Sequence, residues 1–352
     1  MNHKMNLLIP EEIMFEIFSW LPVKSLLRFK CSTKFCTSLV SEPDFVNIHT
    51  YRSMSRSDGT KFILREKWES IFFTAEQRED EKDSAPFLQI ARYNYLYLHG
   101  LAYYSQLNCV NGLCCMWDSL STRPAAIFNP STREVRFLPN IDGEFSSSNY
   151  SLGFEPEEKK FKVFSRYKER HWVFTLGIDE SWRENKNISF AIPYFKPSVC
   201  ISGVIYQLIN GAIAAIDIKS EKCETIALWN SSRESPNYYE LIAVKGKLEV
   251  IDYRKWVGGY LDLWIFDQTP QRKWEKHIIS VPSIWNAMKP GLSSIMARDG
   301  EIVFVVIFKS GGACLCYDVT RKSWRELKIM GLPKENYIKG IYSYAESLVS
   351  LE

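Results

Sequence analysis

The chain has 352 residues, which is more than one compact domain usually needs and suits either two domains or one repetitive domain with an appendage. Hydrophobic residues make up 46% of it and charged residues 24%, and it contains only 17 Gly and 15 Pro, so fibrous and low-complexity classes are excluded. A net charge of +3 is too balanced for binding that depends on a basic field. Nucleic acid is therefore not an expected partner.

The nine cysteines are an odd number in a long chain, and the amino terminus lacks the basic and apolar regions of a secretory leader. We therefore expect free thiols in a reducing compartment, which would be the cytoplasm, the nucleus or both. The longest run without charge, 197–216, approaches membrane-spanning length but contains polar residues and two glycines. It is better explained as a β-hairpin, and no membrane partner is expected.

The amino-terminal segment has helical periodicity. Pro10 followed by two glutamates is a typical helix beginning, because Pro loses no hydrogen bond there and carboxylates favour the positive end of the helix dipole. Ile13, Ile17 and Leu21 recur at four-residue spacing and predict a wide apolar stripe. Pro22 is expected to end this helix.

Two shorter helical stretches follow, around 26–29 and over about 32–40, so residues 1–49 are predicted to form a domain of three short helices. Its apolar residues exceed what three short helices can hide among themselves, and so small a segment rarely sustains a core alone. The segment should therefore pack either on the rest of the chain, as an amphipathic cap, or on another protein. Composition alone does not separate these alternatives.

From about residue 60 the pattern changes to short β-like runs broken by turn residues. Several of these runs are separated by two residues that tolerate the positive φ of a tight hairpin turn. The predicted hairpin turns are Asn210-Gly211, Lys245-Gly246 and Asp299-Gly300.

A sequence repeat spans these hairpins: an apolar residue, then Asp or Asn, then turn residues, and often a Trp several positions later. Its polar members are Asn129, Asp179, Asp217, Asp267 and Asp318, and its Trp members are Trp182, Trp274 and Trp324. A period near 50 residues with short strands resembles the blades of kelch-like β-propellers. The remaining chain, of about 300 residues, then predicts six blades. An irregular double sheet is the alternative.

No catalytic or metal-binding cluster stands out in the sequence. The five His residues are scattered, no Cys pair has CxxC spacing, and HExxH is absent. Phosphate-binding glycine loops and the GxSxG nucleophile motif are also absent. We therefore predict no catalytic residue, no metal and no cofactor, although a propeller can still assemble a site from distant loops.

Residues 7–49 resemble an F-box, and the resemblance is carried by IPEE at 9–12, LPVKSLLRF at 21–29, and Cys31, Lys34, Asp44, Phe45 and His49. The rest of the chain resembles the F-box-associated domain of the large plant family. The recurring phrases of that domain appear in order as CVNGLCCM (109–116), FNPSTREVRFLP (128–139), SLGFEPEEKKFKVF (151–164), FTLGIDESWRE (174–184), ISGVIYQL (201–208) and LWIFDQTPQRKWEKHIISVP (263–282). The resemblance implies an F-box domain over 1–49 and a propeller-like substrate-recognition domain over 50–352.

This resemblance implies a non-catalytic subunit of an SCF-type ubiquitin ligase. The F-box would bind a Skp-family adaptor, which links it to cullin and RING subunits, and the second domain would hold a target protein for ubiquitination. Holding the target near the charged ubiquitin-conjugating enzyme raises its effective concentration. Carried over by position, the adaptor-facing residues are Pro10, Ile13, Ile17, Leu21, Pro22, Leu26 and Leu27. Each could instead belong to the core of the F-box.

Two places depart from the family pattern. Phe35-Cys36 stands where a Trp is usual, and Ser32 stands where Val is usual. A Cys in a site of Trp size is expected to leave the core underfilled, at a cost on the order of a few kcal/mol unless its neighbours move inward.

Target-binding residues are not predicted, although propeller receptors commonly use variable loops at one rim. The tyrosines between 93 and 104 are better explained as packed strand residues than as a binding surface. Three alternatives remain open. The chain could be a propeller-type enzyme or lectin acting on a glycan or small molecule, an adaptor-binding protein outside any ligase, or a receptor of the S-locus pollen class.

Overall fold

The computed structural model gives the fold of most of the chain. The residues that it describes are 9–55, 61–66, 72–79, 86–91, 105–118, 123–141, 149–167, 170–188, 198–209, 211–229, 238–269, 272–283, 295–298, 300–308, 311–331 and 338–351.

Four helices form the amino-terminal part of the described chain: α1 Glu11–Ser19, α2 Val23–Lys30, α3 Lys34–Ser41 and α4 Pro43–Ser55. Three helices were predicted, and α4 was missed because Pro43 was interpreted only as the end of α3. Proline is well tolerated in a first helical turn, and Asp44 beside it favours the positive end of the helix dipole. The domain boundary predicted at residue 49 falls inside α4. No described helix is both long and apolar enough to cross a membrane.

The rest of the described chain consists mainly of strands. In chain order they are β1 Lys61–Glu66, β2 Phe72–Glu79, β3 Pro86–Ala91, β4 Ser105–Val110, β5 Leu113–Asp118, β6 Ala126–Phe128, β7 Val135–Phe137, β8 Asn149–Glu155, β9 Lys160–Tyr167, β10 Arg170–Thr175, β11 Arg183–Asn185, β12 Val199–Ile201, β13 Val204–Ile209, β14 Ala212–Asp217, β15 Cys223–Ala227, β16 Tyr239–Val244, β17 Lys247–Asp252, β18 Tyr260–Asp267, β19 Lys273–Ser280, β20 Ile295–Arg298, β21 Glu301–Phe308, β22 Gly311–Asp318, β23 Ser323–Met330 and β24 Ile338–Tyr344.

Four of the sheets are antiparallel and four-stranded, in the orders β4-β5-β6-β7, β8-β9-β10-β11, β12-β13-β14-β15 and β16-β17-β18-β19. The fifth has eight strands in the order β20-β21-β22-β23-β3-β2-β1-β24. Its two halves are joined by a parallel pairing of β23 with β3, and β24 pairs with β1 although the two strands lie far apart in the sequence. The predicted six blades are not confirmed, because the described strands form five sheets.

The sheets curl around a common centre. Strands β4, β8, β12, β16, β20 and β24 contact one another in that order, and β24 returns to contact β4. Apolar clusters lie between neighbouring sheets, for example around Trp117 and Phe174 on one side and around Trp256 and Phe304 on another. This arrangement is a β-propeller-like fold, as predicted, because each sheet buries its two faces against its neighbours.

The predicted hairpin turns are present. Lys245 and Gly246 both have positive φ, of 49° and 76°, between the paired residues Val244 and Lys247. Gly211 and Gly300 also have positive φ at two-residue turns, while Asn210 and Asp299 lie outside the described residues.

One pair of cysteines departs from the prediction. Cys109 and Cys114 are joined by a disulfide, so the prediction of free thiols throughout is wrong for this pair. The register of β4 and β5 places the two residues directly opposite each other, which brings their side chains together. Asn111 and Gly112 between the two strands both have positive φ, so an Asn-Gly hairpin turn sets this register, and its sequence signal was missed.

The repeat found in the sequence has a structural role at the outer strands. Trp182, Trp274 and Trp324 each donate an indole N–H to a backbone carbonyl oxygen at the outer edge of the preceding sheet. The acceptors are the oxygens of Pro139, Ala227 and Ser280, at 2.7, 2.9 and 2.8 Å respectively. The Asp and Asn members shape the turns before these strands, as in Asp318, whose carboxylate accepts the backbone N–H of Thr320 at 2.8 Å. Each of these Trp residues thus links one sheet to the preceding one by a hydrogen bond.

Candidate adaptor-docking face

An exposed apolar stripe runs along one side of α1. The stripe consists of Ile9, Ile13, Ile17 and Trp20, which are spaced by four, four and three residues and therefore lie on one face. Ile9 lies just before α1 and Trp20 just after it. Each keeps between 45% and 50% of its surface exposed. We call these four residues the α1 stripe. Contiguous exposed apolar surface of this kind is typical of an interaction site.

The opposite side of α1 packs on the helical core. Val23, Leu26 and Phe45 are fully buried there, and Phe15 and Phe18 of α1 pack against them. Helix α1 thus packs its inward face on the helical core and leaves the α1 stripe about half exposed.

The seven residues predicted to face the adaptor do not share one environment. Pro10, Ile13, Ile17 and Pro22 are exposed, and Leu21 and Leu27 are half-buried. Leu26 has none of its surface exposed and belongs to the helical core. An adaptor role for Leu26 is therefore not supported, because the side chain would have to leave the core to make that contact. Sequence periodicity could not separate it from its exposed neighbours, since both kinds of position are apolar.

Two exposed aromatic residues were missed from the sequence. Trp20 extends the α1 stripe, and Phe29 of α2 is 42% exposed and stacks on Phe18 with ring centroids 5.3 Å apart. The four-residue spacing that revealed Ile13 and Ile17 leads on to Leu21, whereas Trp20 lies three residues after Ile17 and shares its helical face through that shorter spacing.

Trp20 is held in place by two charged neighbours. Its indole N–H donates to a carboxylate oxygen of Glu16 at 3.0 Å, and the guanidinium of Arg52 lies 4.7 Å from its ring centroid. Arg52 also pairs with Glu16 at 2.8 Å. Hydrogen bonds from Arg52 and then from Trp20 lower the pKa of the Glu16 carboxyl, so it stays ionised and keeps both partners. The exposed indole is therefore oriented before any partner arrives.

Helix α4 anchors the turn between α1 and α2. A ring nitrogen of the buried His49 lies 2.8 Å from the carbonyl oxygen of Leu21. Phe35 of α3 packs against the helical core, and the neighbouring Cys36 is 5% exposed with its backbone N–H bonded to the Thr33 hydroxyl. The aromatic ring expected at position 36 is thus supplied to the same core from position 35.

The helical domain rests on residues 345–351, which follow β24. The side chain of Leu348 enters the helical core. The Thr50 hydroxyl donates to the Ser347 hydroxyl at 3.3 Å, and the Ser53 hydroxyl accepts the backbone N–H of Glu346 at 2.8 Å. The alternative in which the helical segment packs on the rest of the chain is thus confirmed for this side of the helical domain, and packing on another protein stays a prediction.

Among the described residues, no group of three or more His, Cys, Asp and Glu side chains is placed to hold a metal ion. The tyrosines between 93 and 104 lie outside the described residues. The α1 stripe is suited to burying apolar surface against another protein.

Two protein families match this chain: the F-box domain over residues 7–47 and the F-box associated beta propeller domain over residues 60–348. The putative F-box protein At4g38870 of Arabidopsis thaliana is 27% identical over 79% of this chain and 69% of its own length. The putative F-box protein At3g10240 of the same plant is 27% identical over 94% of this chain and 87% of its own. The crystal structure of TolB from Acinetobacter baumannii covers 89% of this chain and 73% of that chain at 10% identity, with a TM-score of 0.47. The chain therefore belongs to the family of plant F-box proteins in which an F-box associated beta propeller domain follows the F-box.

Proposed function

We propose that this protein is the substrate-recruiting subunit of an SCF-type ubiquitin ligase. Its helical domain binds a Skp-family adaptor, which connects it to cullin and RING subunits, and its β domain holds a target protein for ubiquitination. The observation that carries this proposal is the α1 stripe, which is apolar and about half exposed. The F-box match over residues 7–47 supports the identity of the adaptor.

The energetics of the α1 stripe favour burial against another protein. Burying an Ile side chain contributes about 1.5–3 kcal/mol, so Ile13 and Ile17 together can supply a large part of a stable interface. Trp20, held by Glu16 and Arg52, offers a large ring with little loss of side-chain freedom on binding. These residues meet the description of binding hot spots better than the buried Leu26 does.

The chain itself is proposed to be non-catalytic, to act in the cytoplasm or nucleus, and to contribute proximity between target and conjugating enzyme. We further propose that the eight-stranded sheet counts as two blades that share the β23–β3 edge. Six blades would then surround the centre.

The decisive experiment replaces both Ile13 and Ile17 with Asp in the full-length chain. We expect adaptor binding to fall at least about 100-fold, because two apolar contacts are replaced by charges that must be desolvated. The matched control is Val257→Asp with Ile278→Asp, since these β-domain residues are 81% and 64% exposed. Adaptor affinity is measured by calorimetry, and cullin incorporation by co-purification.

Equal loss of adaptor binding in both double variants would contradict a docking role for the α1 stripe. Adaptor binding without cullin incorporation would contradict the ligase role and favour an adaptor-binding protein outside any ligase.

A further inference from the structure

A groove separates helix α4 from the β domain. Two adjoining cavities of about 280 and 240 Å³ form it, and both are lined by Asn47, Lys159, Phe161 and Val349. We call the two cavities together the junction groove. Each is smaller than the ~300–1,000 Å³ typical of sites for drug-sized ligands, which suits single side chains of a peptide better than a whole cofactor.

The walls of the junction groove are mainly apolar. Helix α4 contributes Tyr51 and Met54, which lie on one helical face with Asn47. The opposite wall is the hairpin of β8 and β9, where the rings of Phe154 and Phe161 pack with centroids 4.8 Å apart. Tyr51 is 69% exposed, which leaves much of this aromatic surface in contact with water. Such a surface favours an apolar side chain that could enter between helix and hairpin.

The charged residues that line the junction groove are all basic. They are Lys159 in both cavities, with Arg136 and Lys160 in the second, and no described lining residue carries a carboxylate. Lys159 pairs with Asp44 at 3.0 Å and Lys160 with Glu158 at 2.8 Å, but all four side chains are largely exposed. Exposed ion pairs of this kind are weak, so carboxylates of a ligand can replace them.

The junction groove is distinct from the α1 stripe. None of the seven residues predicted to face the adaptor lines either cavity, and Trp20 and Phe29 do not line them either. The groove wall comes instead from α4 and from turns of the β domain at Asn111, Pro156 and Ser202. An adaptor on the α1 stripe and a second ligand in the groove therefore use different residues.

We propose that the junction groove binds an extended segment of the target protein in which one or two apolar side chains are flanked by Asp and Glu. This inference rests on the proposed function and specifies the target class for the same chain. The apolar side chains pack between Tyr51, Met54 and Phe161, and the flanking carboxylates pair with Lys159, Lys160 and Arg136. Charge complementarity selects acidic segments over basic ones, and the apolar walls reject segments that are acidic alone.

The test uses the full-length chain and a displayed library of random dodecapeptides. We expect the selected peptides to combine acidic and apolar residues. A fluorescein-labelled copy of the most enriched peptide then reports affinity by anisotropy. Replacing its Asp and Glu with Asn and Gln should weaken binding at least tenfold, and added salt should weaken binding of the original peptide.

Two variants locate the binding site. Tyr51→Ser removes an exposed wall of the junction groove, and Lys159→Gln removes its shared charge, so each should weaken binding of the labelled peptide at least tenfold. The matched controls are Val257→Ser, which removes an apolar group that is more exposed than Tyr51, and Lys322→Gln, which alters another lysine in a turn with positive φ. Neither control should change peptide affinity.

Selected peptides that lack acidic residues, or an affinity unaffected by both groove variants, would overturn the proposal. Adaptor capture by the same preparations separates this result from failure of the proposed function. Retained adaptor and cullin with no peptide in the groove overturns only the groove proposal. Groove binding without adaptor or cullin overturns the ligase role instead.

Discussion

Leu26 lies in the centre of the helical core with 0% of its surface exposed. Leu26→Ala should lower the free energy of unfolding of the helical domain by about 2–5 kcal/mol, because it removes buried methyl groups and leaves a cavity. Ile13→Ala, at an exposed position, should change it by less than about 0.5 kcal/mol. Hydrogen exchange of the α2 and α3 amides measures both effects. Unchanged exchange in Leu26→Ala would place this side chain outside the core.

Glu249 is a buried carboxyl in strand β17, and one of its oxygens has no hydrogen-bond partner among the described residues. Burial raises its pKa from 4.5 to about 7, against the weaker opposite effect of Lys247. The folded chain therefore holds a proton that the unfolded chain releases between these two values. Its contribution to stability is greatest below pH 4.5 and is lost as the pH rises through 7.

Glu249→Gln should abolish this part of the pH dependence. Between pH 5 and pH 8 the free energy of unfolding of the unaltered chain should fall relative to the variant by on the order of 3 kcal/mol, since one pKa unit corresponds to about 1.4 kcal/mol. Urea unfolding at the two pH values gives the difference. Parallel pH profiles for the two proteins would rule out a raised pKa at Glu249.

The Trp residues of the sequence repeat each form a hydrogen bond between neighbouring sheets, and the contribution of that bond to the free energy of unfolding can be measured. Trp324→Phe keeps an aromatic ring near Phe304 and Tyr317 but loses the hydrogen bond to the Ser280 carbonyl. We expect a loss of about 1 kcal/mol in stability, the usual net contribution of such a bond. Tyr260→Phe, at a residue that is 49% exposed, should cost less than about 0.5 kcal/mol. Chemical unfolding of both variants measures this, and equal costs would argue against a fastening role for Trp324.

Local elements could be predicted from the sequence better than contacts between them. The turn at Lys245-Gly246 depends on the φ preferences of two neighbouring residues, so the sequence indicates it directly. Whether an apolar residue such as Ile13 or Leu26 faces water depends on which helices pack against it, and periodicity does not contain that information. The junction groove was not foreseen at all, because Asn47, Lys159 and Val349 are brought together only by the complete fold.

Asn129 connects the β domain to the segment on which the helices rest. Its amide nitrogen donates to the carbonyl oxygens of Ser347 and Val349 at 3.0 and 2.9 Å, and its side-chain oxygen accepts the backbone N–H of Ser131 at 2.9 Å. Asn129→Asp keeps the acceptor for the turn but cannot donate. The buried carbonyl group of Ser347 and the half-buried one of Val349 then lose a partner, which should cost about 2–4 kcal/mol in total.

Hydrogen exchange and protease sensitivity of residues 345–351 measure the effect of Asn129→Asp. Both should rise, while the turn at Ser131 stays protected. Asn129→Ala should raise the sensitivity of the turn as well, because it also removes the acceptor. If 345–351 stays as protected in Asn129→Asp as in the unaltered chain, these two hydrogen bonds do not hold the segment.

The order of translation determines when the helical domain can pack on residues 345–351. Leu348 belongs to the core of the helical domain but is translated about 300 residues after helices α1–α4. This is a delay of tens of seconds at ~5–20 residues per second. During that interval the nascent helices lack the segment of the β domain on which they rest. An adaptor that binds during translation would cover the α1 stripe before β24 is synthesised. It would then act as a chaperone for this chain.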